Sequence, residues 1–258
     1  NVGTGFRAPY GFSEDLHLCS GSPRVWKSSN LKGERAISYN LSADYYAKKY
    51  QFSINLFRTN LKDKIQFSPA DDEVKKFGYS YQWENVDDAY VQGVELGAKA
   101  NLFRNFNAGI NWTFNQGKFK HERADWSDPN DETVKEFPQR LQYAKDSRNV
   151  SRFPAMTGDI DLDYTPGTWS FSLTSSLQGK MYIDYNSEDN GATSKIKKTN
   201  TFMIFNCRAA KRFGSCTVYA GAKNIFSYIQ DEKHTDDAAF MYAPVYGATW
   251  YVGLSVKL

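Results

Sequence analysis

Ten residues at the C-terminal end constrain the fold most. In Thr249-Trp250-Tyr251-Val252-Gly253-Leu254-Ser255-Val256-Lys257-Leu258, one face reads Trp, Val, Leu, Val, Leu and the other Thr, Tyr, Gly, Ser, Lys. Period-two alternation specifies a strand with one apolar and one polar face. A run of about ten residues is also what a tilted strand needs to cross a bilayer. The pattern recurs. Ile37, Tyr39, Leu41, Ala43 and Tyr45 alternate with Ser38, Asn40, Ser42 and Asp44, and Phe52, Ile54 and Leu56 alternate with Gln51, Ser53 and Asn55. Phe106, Ala108, Ile110, Trp112 and Phe114, then Trp169, Phe171, Leu173 and Leu177, do the same. In 156–164, Met156, Ile160, Leu162 and Tyr164 share a face, while Thr157, Asp159, Asp161 and Asp163 share the other. Three carboxylates in register cannot line a dry core. They face bulk water or a wet interior. Turned to lipid, a charge near mid-membrane costs about 2–4 kcal/mol, less for Asp, so the apolar row is the one expected on the lipid side.

Weaker segments at 83–100, 198–212 and 215–226 bring the expected count to nine strands plus a stub ending near Arg7. Short connections fall at Ala47-Lys48-Lys49, Arg104-Asn105, Thr165-Pro166-Gly167 and Phe213-Gly214. Long ones span about 8–32, 61–82, 117–150, 183–197 and 227–245. Short turns at one rim and long loops at the other are the signature of a transmembrane antiparallel β-barrel. A soluble sandwich, such as a lectin, is the alternative, since such domains also segregate their loops in part. The 17 Tyr, 18 Phe and 6 Trp suit both. Tyr45, Tyr46, Tyr50, Tyr164, Trp169, Tyr182, Tyr185 and Trp250 near strand ends predict an aromatic girdle at the headgroup level. The β-propensity of aromatic residues also contributes to that placement.

No stretch approaches 18 consecutive apolar residues, so no transmembrane helix is expected; strands are unaffected by that test. The 32 basic and 29 acidic residues leave a charge of +3, which gives no electrostatic case for nucleic acid. Asn1-Val2-Gly3-Thr4-Gly5 contains neither an initiator Met nor a basic and apolar leader. For an exported protein, the expectation is that the N-terminus has been removed or lies on another chain. Cys19, Cys207 and Cys216 have no metal-ligand spacing and allow one optional disulfide. No serine elbow, zinc-hydrolase helix or phosphate loop is present, so the protein is not expected to be an enzyme, and no cofactor is implied.

Several segments resemble the C-terminal half of the TonB-dependent outer-membrane receptors. Gly5-Phe6-Arg7-Ala8-Pro9 is similar to their strand-to-loop junction, and Asn30-Leu31-Lys32-Gly33-Glu34 to a Leu-Lys-Pro-Glu motif with Gly33 in place of Pro. Phe57-Arg58-Thr59-Asn60-Leu61-Lys62-Asp63-Lys64-Ile65 and Asn85-Val86-Asp87-Asp88-Ala89-Tyr90-Val91-Gln92-Gly93-Val94-Glu95 also resemble family segments. So do Phe153-Pro154-Ala155-Met156-Thr157-Gly158 and Ala220-Gly221-Ala222-Lys223-Asn224-Ile225-Phe226 followed by Tyr246-Gly247 and the terminal strand, with Ala248 where an Arg is common. Six matches in the family's order run from residue 5 to residue 258.

The resemblance implies an all-β fold: the last nine strands plus a stub of a 22-strand barrel. Residues 1–258 would be strands 14 to 22 with the tail of strand 13, and the plug and the other strands would be absent. Two open edges in hydrocarbon then require a partner: an N-terminal chain or segment carrying the plug and the remaining strands. It also implies TonB-dependent uptake of a scarce small-molecule nutrient across the bacterial outer membrane. TonB would act through the missing segment, and outer-membrane lipid and lipopolysaccharide would surround the barrel. A ferric siderophore or another iron complex is the leading ligand class, with haem, cobalamin, or an uncoupled porin or adhesin as alternatives.

Expected ligand contacts are His17, Arg24, Trp26, His121, Trp126, Arg140, Tyr143, His234 and Tyr242, all in long loops. In a haem receptor an external histidine would ligate iron, but as solvated loop residues the three need no function, and that is the favoured reading. Asp44, Glu95, Lys99, Asp159, Asp161, Asp163 and Lys180 are expected to face the lumen or the plug. Asp residues two apart on a strand sit roughly 6.5–7 Å apart, too loose for shared metal coordination.

Overall fold

The computed structural model describes residues 1–9, 25–27, 30–69, 72–79, 81–121, 148–150, 152–186, 195–230 and 242–257. Ten strands form one antiparallel sheet: β1 (Val2–Arg7), β3 (Glu34–Tyr46), β4 (Tyr50–Lys62), β7 (Ala89–Phe103), β8 (Phe106–Phe119), β9 (Met156–Tyr164), β10 (Trp169–Gln178), β13 (Phe202–Phe213), β14 (Cys216–Lys223) and β15 (Thr249–Val256). That is nine full strands and a six-residue β1. Outside it, β2 (Val25–Lys27) pairs parallel with β6 (Tyr81–Asn85), which pairs antiparallel with β5 (Ile65–Pro69). A hairpin of β11 (Tyr182–Asn186) and β12 (Lys195–Lys198), and a single turn α1 (Asp72–Lys75), complete the elements.

Tight turns fix the register along one rim. Asn105 and Gly214 adopt left-handed backbone (φ 65° and 60°), as two-residue hairpin loops require. The Ala47 N–H donates to the Tyr50 carbonyl at 2.8 Å to close the β3–β4 turn. With register set, side-chain character sorts by face. Tyr45, Phe52, Ala98, Ile110 and Ile160 lie opposite one another across five strands, as do Leu41, Leu56, Val94 and Phe114 across four. On the other face Asp44, Ser53, Gly97, Asn111, Asp159 and Ser176 form a polar row. A slip of one residue would exchange the two faces.

Among the described residues only Ile65, Ala89, Met181, Phe202, Ala210 and Ala222 are buried apolar side chains. Val252 is 79% exposed, Trp250 75% and Leu41 70%, all on the apolar face. A soluble sandwich would bury this face against a second sheet. No other described sheet has more than three strands. Leaving each large apolar side chain in water forfeits about 1.5–3 kcal/mol, so the sandwich fails and hydrocarbon is the fitting solvent. Among the described residues β1 and β15 are the sheet edges. A strand edge within hydrocarbon costs several kcal/mol per unsatisfied backbone group, so both edges need partners.

The aromatic band at the tight-turn rim is present. Tyr45 stacks on Phe52 at 6.4 Å, Tyr164 on Phe171 at 6.4 Å and Trp169 on Phe171 at 5.7 Å, with Lys211 Nζ 4.7 Å from the Trp169 ring centre. Tyr46 does not belong to it, because its partner Gln51 puts it on the polar face. Tyr182 and Tyr185 belong to β11, outside the large sheet. Nor is 83–100 one strand. Asp87 and Asp88 interrupt it by capturing backbone donors: Asp88 N donates to Asp87 Oδ1 at 2.8 Å and Asp63 N to Asp88 Oδ1 at 3.1 Å. Residues 81–85 therefore enter the loop sheet. The segment expected at 198–212 likewise begins only at Phe202, because Thr199 Oγ1 instead accepts from Met181 N at 3.1 Å. Cys207 and Cys216 are free thiols, and Cys19 lies outside the described residues.

Candidate ligand-facing rim

The long connections all leave the sheet at the rim opposite the tight turns. The best-described one joins β4 to β7 and folds into β5, α1 and β6, with β2 from the preceding connection added alongside. Here Trp26 meets Tyr79 edge-on at 5.1 Å and stacks near Phe77 at 6.3 Å. Phe77 is largely exposed. The rings give the rim an apolar, planar surface of the kind that packs against flat or macrocyclic ligands.

Beneath them a charged cluster anchors the connection to the barrel. Glu34 Oε2 accepts a hydrogen bond from Ile65 N at 3.0 Å and faces Arg7 Nη1 at 4.0 Å. Arg7 lies over the Trp83 ring at 5.8 Å, and Lys64 Nζ lies 5.7 Å from the Phe119 ring centre. Burial pushes the Lys64 ammonium below its ordinary pKa of 10.5; Glu34 opposes that shift and Arg7 adds to it. His121 docks on Asp87: its backbone N–H donates to Oδ2 at 2.8 Å, and its ring Nδ1 lies 3.2 Å from Oδ1. These contacts hold loop bases in place rather than forming a catalytic arrangement.

Of the ligand-contact candidates, Trp26, His121 and Tyr242 are described, and they sit on three different connections. Tyr242 is docked at a loop base, its N–H donating to Gln230 Oε1 at 3.0 Å and its ring tilted against Phe202 at 6.2 Å. His17, Arg24, Trp126, Arg140, Tyr143 and His234 lie outside the described residues. Phe77 and Tyr79 join Trp26 at this rim without a distinct signal in the sequence. The only local clue was the aromatic pair in Phe77-Gly78-Tyr79.

On the polar face, Asp44, Glu95, Lys99, Asp159, Asp161 and Asp163 all fall in register. Glu95 Oε2 accepts from Asn55 Nδ2 at 2.9 Å, and Asp159 Oδ2 from Asn111 Nδ2 at 2.8 Å. Lys180 lies two residues beyond the end of β10, where its carbonyl accepts from Ala155 N at 2.9 Å. Among the described residues no three His, Cys, Asp or Glu side chains are grouped to hold a metal ion.

Residues 1–225 match the family described as TonB dependent receptor-like, beta-barrel. The chain belongs to this family. A TonB-dependent receptor barrel is a bacterial outer-membrane structure, which accounts for the single-layer sheet with its uncovered apolar face. Over 189 residues, 71% of this receptor chain and 25% of the relative, it is 28% identical to the Vitamin B12 transporter BtuB of Photobacterium profundum. Among solved structures it is similar to the copper transporter OprC, at 22% identity and a TM-score of 0.66, covering 98% of this chain and 37% of that one. It is also similar to the siderophore receptor PirA from Pseudomonas aeruginosa, at 17% identity and a TM-score of 0.61, covering 99% and 38%. The FrpB iron transporter from Neisseria meningitidis gives 14% identity and a TM-score of 0.61 over 89% and 32%. The receptor chain thus spans between a quarter and two fifths of these relatives.

Proposed function

We propose that the protein forms part of a TonB-dependent importer that carries a scarce nutrient, foremost a ferric siderophore or another iron complex, across the outer membrane. The observation that carries this reading is the family match joined to a rim where exposed Phe77 packs with half-buried Trp26 and Tyr79. In this reading the chain supplies strands 14 to 22 and the tail of strand 13 of a 22-strand barrel. The ten-strand sheet with two open edges supports it. An N-terminal segment supplies the plug and the other strands, and TonB acts through that segment. Asp44, Glu95, Lys99, Asp159, Asp161 and Asp163 face the interior and the plug. Among the loop candidates, Trp26 belongs to the described aromatic surface. Arg and Lys in the loops would pair with acidic chelators.

Cobalamin is the second reading, favoured by the 28% identity to a vitamin B12 transporter. Uptake assays on cells carrying the full receptor, offered ferric citrate, a ferric catecholate, haemin and cyanocobalamin, separate these. Accumulation of an iron chelate that stops on adding a protonophore is the expected result. Preferred uptake of cyanocobalamin selects the second reading. Entry insensitive to the protonophore would make the protein a passive barrel and remove the import mechanism.

A further inference from the structure

Charge on the polar face of the large sheet is sorted by strand. From β3 through β4, β7 and β8 to β9 that face carries Asp44, Glu95, Asp159, Asp161 and Asp163, with Lys99 as its one cation among the described residues. β13, β14 and β15 contain no Asp or Glu, and on the same face they carry Arg208, Arg212 and Lys223. Register sets the depth of each cation. Arg208 pairs with Gly221, and Lys223 stands two positions nearer the long-loop rim, about 7 Å along β14. Arg212 stands four positions nearer the tight turns than Arg208, about 13 Å along β13. The three cations therefore descend the wall in steps over roughly 20 Å.

Tyrosine rings fill the steps. Tyr251 pairs with Gly221 in the Arg208 row, and Tyr219 pairs with Ala210 and Gly253 in the row between Arg208 and Arg212. Each ring leans over a glycine on the neighbouring strand, Tyr251 over Gly221 and Tyr219 over Gly253, in the space a Cβ there would need. The rings therefore lie against the wall, with centres 6.3 Å apart and planes inclined by 59°. The Arg208 guanidinium is 4.7 Å from the Tyr219 ring centre, which steadies the charge on an aromatic face without neutralising it. Arg208, Arg212 and Lys223 are exposed, and among the described residues none of them makes an ion pair.

A strip of unpaired cations and ring faces fits a ligand that is both anionic and partly planar. Carboxylates on the other strands repel such a ligand and direct it to this strip. Cations set in steps offer several sites of similar kind, so an anion can enter and leave, whereas one tight cluster would retain it. We propose that Lys223, Arg208 and Arg212 form a relay along the inner wall for a polyanionic iron chelate. Its carboxylates or catecholates pair with the cations in turn through charge-assisted hydrogen bonds, and its flat groups rest on Tyr251 and Tyr219. The relay rests on the importer reading and narrows its cargo to anionic chelates.

The test is uptake by cells carrying the full receptor, offered radiolabelled ferric citrate, an anionic ferric tricatecholate, a neutral ferric trihydroxamate and cyanocobalamin. The parent is expected to accumulate an anionic chelate. The triple variant Arg208→Gln, Arg212→Gln, Lys223→Gln is expected to lower its maximal rate about tenfold, by loss of the field that concentrates an anion at the wall. Surface binding measured with a protonophore present should stay parental. Arg208→Lys with Arg212→Lys keeps the charges and is expected to keep most of the rate. Arg35→Gln, on the outward face of β3, is expected to transport like the parent. Heat-modified gel mobility reports that each variant is folded. A parental rate in the folded triple variant overturns the relay. So does an equal loss of surface binding, which would place the cations in ligand capture. New sensitivity of the triple variant to vancomycin also overturns it, by assigning the cations to seating the plug. Uptake of the neutral chelate or cyanocobalamin alone overturns the anionic cargo and leaves the importer reading standing. Entry that ignores the protonophore, or no entry of any probe, removes the importer reading and the relay with it.

Discussion

Asn85 and Lys32, 53 positions apart, close a two-bond ring at the rim: Lys32 N donates to Asn85 Oδ1 at 2.8 Å, and Asn85 Nδ2 donates to the Lys32 carbonyl at 3.0 Å. The same Nδ2 donates to the Asp63 carbonyl at 2.7 Å. One side-chain amide thereby ties the approach to β3, the end of β4 and the end of β6 together. Asn85→Ala leaves these backbone groups without that partner, at a cost of about 1–3 kcal/mol. Limited proteolysis of the reconstituted receptor should cut the β4–β7 connection at least several-fold faster. An unchanged cleavage rate would show that the amide does not anchor the loop.

Lys64 gives the rim a defined pH response. Its folded pKa lies below the ordinary 10.5 because burial disfavours the ammonium. Between the folded value and 10.5 the opened rim binds a proton that the closed rim does not, so stability rises with pH through that window. Below the folded pKa the penalty is present in full. Thermal opening followed by tryptophan fluorescence should shift upward as pH approaches 10.5. Lys64→Met should remove that rise, and a parallel rise in the variant would assign the effect elsewhere.

The two faces of β9 should tolerate charge very differently. Ile160→Arg puts a cation on the apolar face at a cost of about 2–4 kcal/mol near mid-membrane. Asp161→Asn, one position along and on the polar face, should stay within about 0.5 kcal/mol. Urea titration of the full receptor folded into vesicles compares them. Equal destabilisation would contradict the assignment of faces.

Tyr219 lies directly opposite Gly253 on β15, and its ring occupies the space a Cβ at 253 would need. Arg208 is held 4.7 Å from the centre of the same ring. Gly253→Ala displaces ring and guanidinium together, costing about 1–3 kcal/mol. In a Tyr219→Leu background the same change should cost clearly less. A double-mutant cycle with no coupling would mean the ring does not rely on the glycine.

Much of the barrel wall was legible locally. Period two in 249–258 and the Asp159, Asp161, Asp163 row need no distant partner to be read, because side chains on a strand alternate whatever lies beside it. Tight turns were legible for the same reason. The rim was not. That Asp87 and Asp88 break a strand, and that β2 pairs with β6 across a long connection, depends on hydrogen bonds between residues far apart in the chain.

The alternating strands written into the sequence determined a sheet with one apolar and one charged face. The choice between water and lipid for the apolar face was made by tertiary structure. Ten strands pair in one layer, with no second large sheet among the described residues to cover Trp250, Val252 and Leu254. Tertiary structure also turned Arg35, Arg58 and Lys62, scattered over two strands, into one basic groove. Register brings them together, and register is a property of strand pairs that no single strand carries.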